Sequence, residues 1–139
     1  MIKVLVVDDE RGIRELLADI LTGYEVIEAE NGAVALQKAC QENPGIILLD
    51  MVMPGMGGFE VLRLLRQTPA TSTTPVIMMS GFPSVEDKLA AWRLNARHFI
   101  TKPCSVRRVI LTVKVALNET ITSPRVAKDV MSSRLRKPL

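Results

Sequence analysis

The sequence predicts an α/β fold: a doubly wound, five-stranded parallel sheet in the order 2-1-3-4-5, with helices on both faces. Short apolar runs alternate with segments of helical period, the pattern of β-α units. The first run, Ile2 to Val7, is continuous rather than alternating, as a strand covered on both faces requires. Right-handed crossovers then leave this order as the natural one. It reverses chain direction between strands one and three, and both strands end in acids, at the crevice where such sheets take ligands.

Strand one, Ile2 to Val7, is β-branched and runs into Asp8 and Asp9. Arg11 to Leu21 follows as a helix with Ile13, Leu16, Leu17, Ile20 and Leu21 on one stripe. Thr22-Gly23 stops it, and Tyr24 to Ala29 alternates like an edge strand. Asn31-Gly32 caps a second helix carrying Val34, Ala35, Leu36 and Ala39, which Asn43-Pro44-Gly45 ends.

Strand three, Gly45 to Leu49, ends at Asp50, and Phe59, Val61, Leu62 and Leu65 form a short third helix. After a turn at Thr68 to Thr74, strand four, Pro75 to Met79, ends at Ser80. Ser84-Val85-Glu86-Asp87 reads as a capping box opening helix four, whose inward stripe is expected to be Leu89, Trp92 and Ala96. Asn95 stands where the helix needs a left-handed residue to end. Strand five ends at Lys102-Pro103, with His98 expected to be exposed, and Ser105 to Asn118 is the last helix.

At 139 residues the chain suffices for one domain with a short appendage. Aromatics make up only 4%, so the core is aliphatic. No apolar stretch approaches the ~20 residues that span a bilayer. The N-terminus lacks a basic region followed by an apolar leader, so a cytoplasmic location is expected. Cys40 and Cys104 are far apart in sequence and are expected to be free thiols, at least partly buried. Residues 1 to 118 hold 13 basic and 13 acidic side chains, so the whole net charge of +3 belongs to residues 119 to 139. A body of zero net charge gives nucleic-acid binding no support. The basic segment is expected to be a linker or C-terminal extension.

In a parallel sheet all strand C-termini lie along one edge, so Asp8, Asp9, Asp50, Ser80 and Lys102 converge there. Two like charges ~4 Å apart repel by about 4 kcal/mol at an effective dielectric near 20, so the acids need a cation. Oxygen ligands select a hard ion such as Mg²⁺ (or Mn²⁺). With its charge shielded, Asp50 becomes a carboxylate nucleophile toward phosphorus. Lys102 supplies a point charge and Ser80 a hydroxyl for the phosphoryl oxygens. Each residue alone has a plainer reading: a helix cap for Asp8-Asp9, a turn for Asp50, a solvated charge for Lys102. Their combination, one group per strand end, sets those readings aside.

On Asp8-Asp9, the stretch Asp50 to Gly58, Ser80-Gly81 and Lys102-Pro103, the chain resembles the receiver domain of bacterial two-component response regulators. The resemblance covers about residues 2 to 118 and is to the chemotaxis-type, flavodoxin-like fold; residues 1–118 are assigned to the receiver and 119–139 to the extension. It implies a signalling phosphoacceptor rather than an enzyme, which assists its own phosphorylation and slow dephosphorylation. Asp50 would take phosphoryl from a sensor histidine kinase or phosphotransfer protein. The metal would be held by Asp9, Asp50 and the backbone carbonyl of Val52, with Asp8 acting through a water. Ser80 and Lys102 would contact the phosphoryl group, and the peptide bond before Pro103 would be cis. Ser80 and Phe99 would form a switch acting on the face of helix four, strand five and helix five, through which a homodimer is open.

This chain departs from the family pattern at several positions. Gly57 replaces the usual acid after the phosphorylation site, which should leave that loop less anchored. Val52 is apolar where many relatives can orient water, implying slower aspartyl-phosphate hydrolysis. Phe99 lacks the hydroxyl of tyrosine, and Gly81 frees the backbone after Ser80. A phosphatase with an aspartyl nucleophile would need a general acid where Val52 stands. A dinucleotide-binding domain would need glycines where Asp8-Asp9-Glu10 stand.

Overall fold

The computed structural model describes residues 1–118. The assigned extension, 119–139, lies outside the described residues. The elements alternate: β1 Lys3–Val7, α1 Arg11–Ile20, β2 Glu25–Ala29, α2 Gly32–Glu42, β3 Ile46–Asp50, α3 Gly58–Gln67, β4 Val76–Ser80, α4 Val85–Arg93, β5 His98–Thr101 and α5 Val106–Asn118. The five strands are parallel, in the order β2-β1-β3-β4-β5.

Side-chain alternation along the strands divides the core between two layers. Leu5, Val7, Ile47, Leu49, Met78 and Phe99 face α2, α3 and α4. Val4, Val6, Ile46, Leu48, Ile77 and Ile100 face α1 and α5. Every residue of β3 and β4 is buried, which explains their unbroken apolar runs. Register pairs Val7 with Ala29 and Leu49, Asp50 with Met79, and Ser80 with Thr101. The strand ends are therefore level along one edge, just where the chemistry-bearing residues emerge.

The helix ends follow local chemistry. The Asn31 side chain accepts the Val34 N–H, and Ser84 and Asp87 form a reciprocal capping box. Asn43 and Asn95 take left-handed conformations at φ 49° and 59° as α2 and α4 end. Gly57 opens α3 without any side-chain cap.

Four expectations require correction. Leu16 is 49% exposed, because Leu17 and Leu21 take the sheet-facing positions of α1. On α4 the fully buried residue is Ala91, with Leu89 and Trp92 only half-buried. Adjacent helical positions differ by about 100° in direction, and the small Ala91 lets the backbone approach the sheet while the larger neighbours flank it. His98 is half-buried rather than exposed, since it shares the α5 side of β5 with Ile100. Cys40 is exposed, because Ala39 takes the inward position; Cys104 is half-buried, and both thiols are free.

Two arginines went unnoticed in the sequence, Arg66, which is half-buried, and Arg97, which is buried. The Arg66 guanidinium donates to the carbonyls of Leu94, Thr71, Ser72, Thr74 and Asn95, tying the end of α3 to the end of α4. Its pKa is pushed down to about 10, first by burial and then by the nearby Arg97. Arg97 donates to the Ala116 carbonyl near the end of α5 at 3.0 Å. Among the described residues, no helix is long and apolar enough to cross a membrane.

Candidate functional site

β1 and β3 deliver the acids. Asp8 leaves β1 with its amide donating to the Ala29 carbonyl at 3.1 Å, extending the ladder by one rung. Its Oδ1 accepts the Glu10 N–H at 2.9 Å and its Oδ2 accepts Lys102 Nζ at 3.0 Å. Asp9, one residue on, is exposed. Asp50 closes β3 and is 7% exposed. Carboxylate oxygens of Asp8, Asp9 and Asp50 lie within 4.8 Å of one another.

Lys102 bridges the acids, with its Nζ 3.4 Å from Asp50 Oδ1 as well. Its amide donates to the Ser80 carbonyl at 2.7 Å, which fixes where its side chain starts. The Lys102–Pro103 peptide bond is cis. Burial lowers the ammonium's pKa, but the hydrogen bond to Asp8 and the charges of Asp8 and Asp50 outweigh it and hold the group above the usual lysine value. The Asp50 pKa is also raised, which for a carboxylate disfavours the charged form. Burial raises its pKa, then the neighbouring Asp8; Lys102 and the Val52 N–H only partly offset this.

The loop after Asp50 is fixed at both ends by backbone bonds. The Met51 N–H donates to the Met79 carbonyl at 2.8 Å, and the Gly58 N–H to the Met51 carbonyl at 2.9 Å. So the loop is anchored despite Gly57, and the anchors are backbone rather than side chain. A Cβ on Gly58 would collide with the backbone of Asp50 and Met51, so α3 starts against the peptide that follows Asp50. Val52, at the front of this loop, is 67% exposed. Ser80 is 2% exposed at the end of β4. Phe99 is 5% exposed in the layer between the sheet and α4, and its strand partner is Met78.

Beside the site a cavity of 440 Å³ opens between α1 and the start of α5. Ile13, Leu16, Leu17, Phe82, Pro103 and Val106 are among its walls, and Lys102 belongs to both cavity and site. Phe82 is 98% exposed at its mouth. Burial raises the pKa of the Cys104 thiol in the same wall.

The structure thus brings Asp8, Asp9, Asp50 and Lys102 together, with Ser80 and the Val52 backbone adjoining through β4 and the loop. Phe99 pairs with Met78, two positions back from Ser80 and so on the same side of the sheet. Sequence reasoning missed Arg14, which donates to the Asp8 carbonyl at 2.8 Å. Its only sequence signal was a charged residue one turn into α1.

A parallel, doubly wound sheet with acids, a hydroxyl and an ammonium on its carboxyl edge defines a flavodoxin-like signalling receiver. The chain belongs to the response regulator receiver domain family, whose model matches residues 4–114. It is 37% identical over 119 residues to the phosphate regulon transcriptional regulatory protein PhoB of Pseudomonas aeruginosa, covering 84% of this chain and 52% of that one. It is 35% identical to Protein PilH of the same organism, covering 84% of this chain and 98% of PilH. Its fold matches chemotaxis protein CheY4 of Vibrio cholerae with a TM-score of 0.80 at 33% identity, covering 84% of this chain and 98% of CheY4. The chain spans about half the length of several curated relatives, PhoB and ResD of Bacillus subtilis among them.

Proposed function

We propose that this receiver accepts a phosphoryl group on Asp50 from the phosphohistidine of a sensor histidine kinase or a phosphotransfer protein. The observation that carries the reading is the Asp50 carboxylate, at the end of a central strand, 3.4 Å from an ammonium that also holds Asp8. An Asp50 oxygen attacks phosphorus, the O–P bond forms, and the N–P bond breaks with its electron pair leaving on the donor imidazole. Lys102 and the Ser80 hydroxyl take the phosphoryl oxygens.

Three carboxylates with mutually close oxygens fit a hard divalent cation. Asp9, Asp50 and the Val52 carbonyl would hold Mg²⁺ (or Mn²⁺), with Asp8 acting through water. The ion supplies positive charge that neutralises the acids and the entering phosphoryl group.

A donor protein needs a surface beside the nucleophile, and the apolar cavity between α1 and α5 supplies one, with Leu16, Phe82 and Val106 exposed. The signal then leaves through Ser80 and Phe99, which share the α4 side of the sheet, toward the face formed by α4, β5 and α5. A homodimer through that face is part of this reading, as is a cytoplasmic location, where kinase and phosphoryl donor meet. PhoB and ResD are named as transcriptional regulators and this chain matches half of each, whereas PilH is matched over nearly its whole length. An output partner, covalent or separate, takes the switched face.

The test is incubation with acetyl phosphate and Mg²⁺ followed by intact-mass measurement. The protein gains one phosphoryl group, and Asp50→Asn gains none. Labelling that survives Asp50→Asn, or sustained turnover of phosphomonoesters, overturns the reading.

A further inference from the structure

Arg14 takes no part in the phosphoryl chemistry above, yet its side chain is only 12% exposed. Nη1 donates to the Asp8 carbonyl at 2.8 Å, and Nε donates to Glu28 Oε1 on β2 at 3.2 Å. Glu28 is tied down in turn, its carbonyl accepting Lys38 Nζ from α2 at 2.6 Å. Asp8 is therefore held at its amide by Ala29, at its two carboxylate oxygens by Glu10 and Lys102, and at its carbonyl by Arg14.

That carbonyl belongs to the peptide joining Asp8 to Asp9. Its orientation sets the direction in which the exposed Asp9 side chain leaves the chain. Nothing about Asp9's own burial can do this, since it stands outside the core. We infer that Arg14 is a positioning residue for the divalent-cation site, clamping the Asp8–Asp9 peptide against β2 so that both carboxylates meet Asp50. The inference rests on the reading that the acid cluster takes such a cation.

Charge and geometry make opposite predictions for Arg14. A guanidinium behind an acid cluster opposes a second cation, so by charge alone its removal tightens metal binding. If Arg14 positions the acids, its removal loosens binding, because supporting partners of ligands carry about 10–100-fold in metal affinity. The planar fork matters as well. A lysine ammonium can reach one acceptor as a point charge but cannot span carbonyl and carboxylate together.

Calorimetric Mg²⁺ titration of the full 139-residue chain tests this. Arg14→Met raises the Kd for Mg²⁺ by about tenfold, and Arg14→Lys recovers part of the loss. A Kd in Arg14→Met equal to or below that of the parent overturns the inference. Should Arg14→Met fail to fold by circular dichroism, Arg14→Lys keeps the charge and loses only the fork. A Kd raised above that of the parent supports the clamp, and an unchanged one overturns it. A parent chain that binds no Mg²⁺ instead removes the cation reading itself, an outcome separate from a variant that binds as the parent does.

Discussion

At the scale of single residues, two glycines make opposite predictions. Gly58 opens α3 where a Cβ would meet the Asp50 and Met51 backbone, with Met51 Cα at 2.8 Å. No flexible side chain can yield there, so Gly58→Ala must displace the Asp50–Met51 peptide. It should destabilise the fold by about 1–3 kcal/mol and slow phosphorylation by acetyl phosphate. Gly12 on α1 has nothing within 4 Å of such a Cβ. There Gly12→Ala should stabilise by about 1 kcal/mol, and urea melts of the two variants measure both signs. Val52 is exposed beside the nucleophile and offers no group to orient water. Val52→Asn should therefore shorten the phosphoryl lifetime on Asp50, followed as loss of the phosphorylated mass. An unchanged or longer lifetime refutes the role assigned to position 52.

At the scale of elements, α4 is shallowly embedded, with Ala91 its one buried residue as Leu17 is on α1. Its far end is fixed by Arg66, which donates to the carbonyls of both Leu94 and Asn95. Arg66→Met leaves these carbonyls and those of Thr71, Ser72 and Thr74 without their donor. It should destabilise by about 3 kcal/mol, measured by urea unfolding, with hydrogen exchange rising first around residues 94 to 97. What the sequence disclosed and withheld divides at this scale. Asn43, Asn95 and the Ser84–Asp87 box were legible because caps act over three or four residues. The strand-end acids were legible because a parallel sheet aligns its carboxyl ends whatever the registers. Arg66 was not, since its partners include a residue 28 positions away and are backbone carbonyls that carry no side-chain signal. Arg14 escaped for the same reason. Leu16 and Trp92 show the third limit: periodicity gives a helix its stripe but not the rotation of that stripe by one residue.

At the scale of the whole molecule, the buried carboxylate at the end of β3 costs stability. Asp50 has a pKa raised above its usual value by burial and by Asp8. Between the unfolded and folded values the native state holds more protons than the unfolded chain, so stability falls as pH rises through that window. Above it the ionised Asp50 is a standing cost at neutral pH. Lys102 behaves differently: its folded pKa lies above the unfolded one, so its contribution is present at neutral pH and lost only at strongly alkaline pH. Asp50→Asn removes the cost and keeps the side chain's size. Without metal it should melt at a higher temperature than the parent at pH 7, because the variant has no buried carboxylate to ionise beside Asp8. It should also lose the parent's decline between acid and neutral pH. Mg²⁺ reverses the order, since an ion at a hundred times its Kd stabilises the native state by about 2.7 kcal/mol. That gain needs the Asp50 carboxylate, so the parent should overtake the variant as Mg²⁺ is titrated in. Melting curves at pH 7 with and without Mg²⁺ measure the crossing. A parent more stable than Asp50→Asn in EDTA would mean that Lys102 already compensates the Asp8–Asp50 repulsion in full.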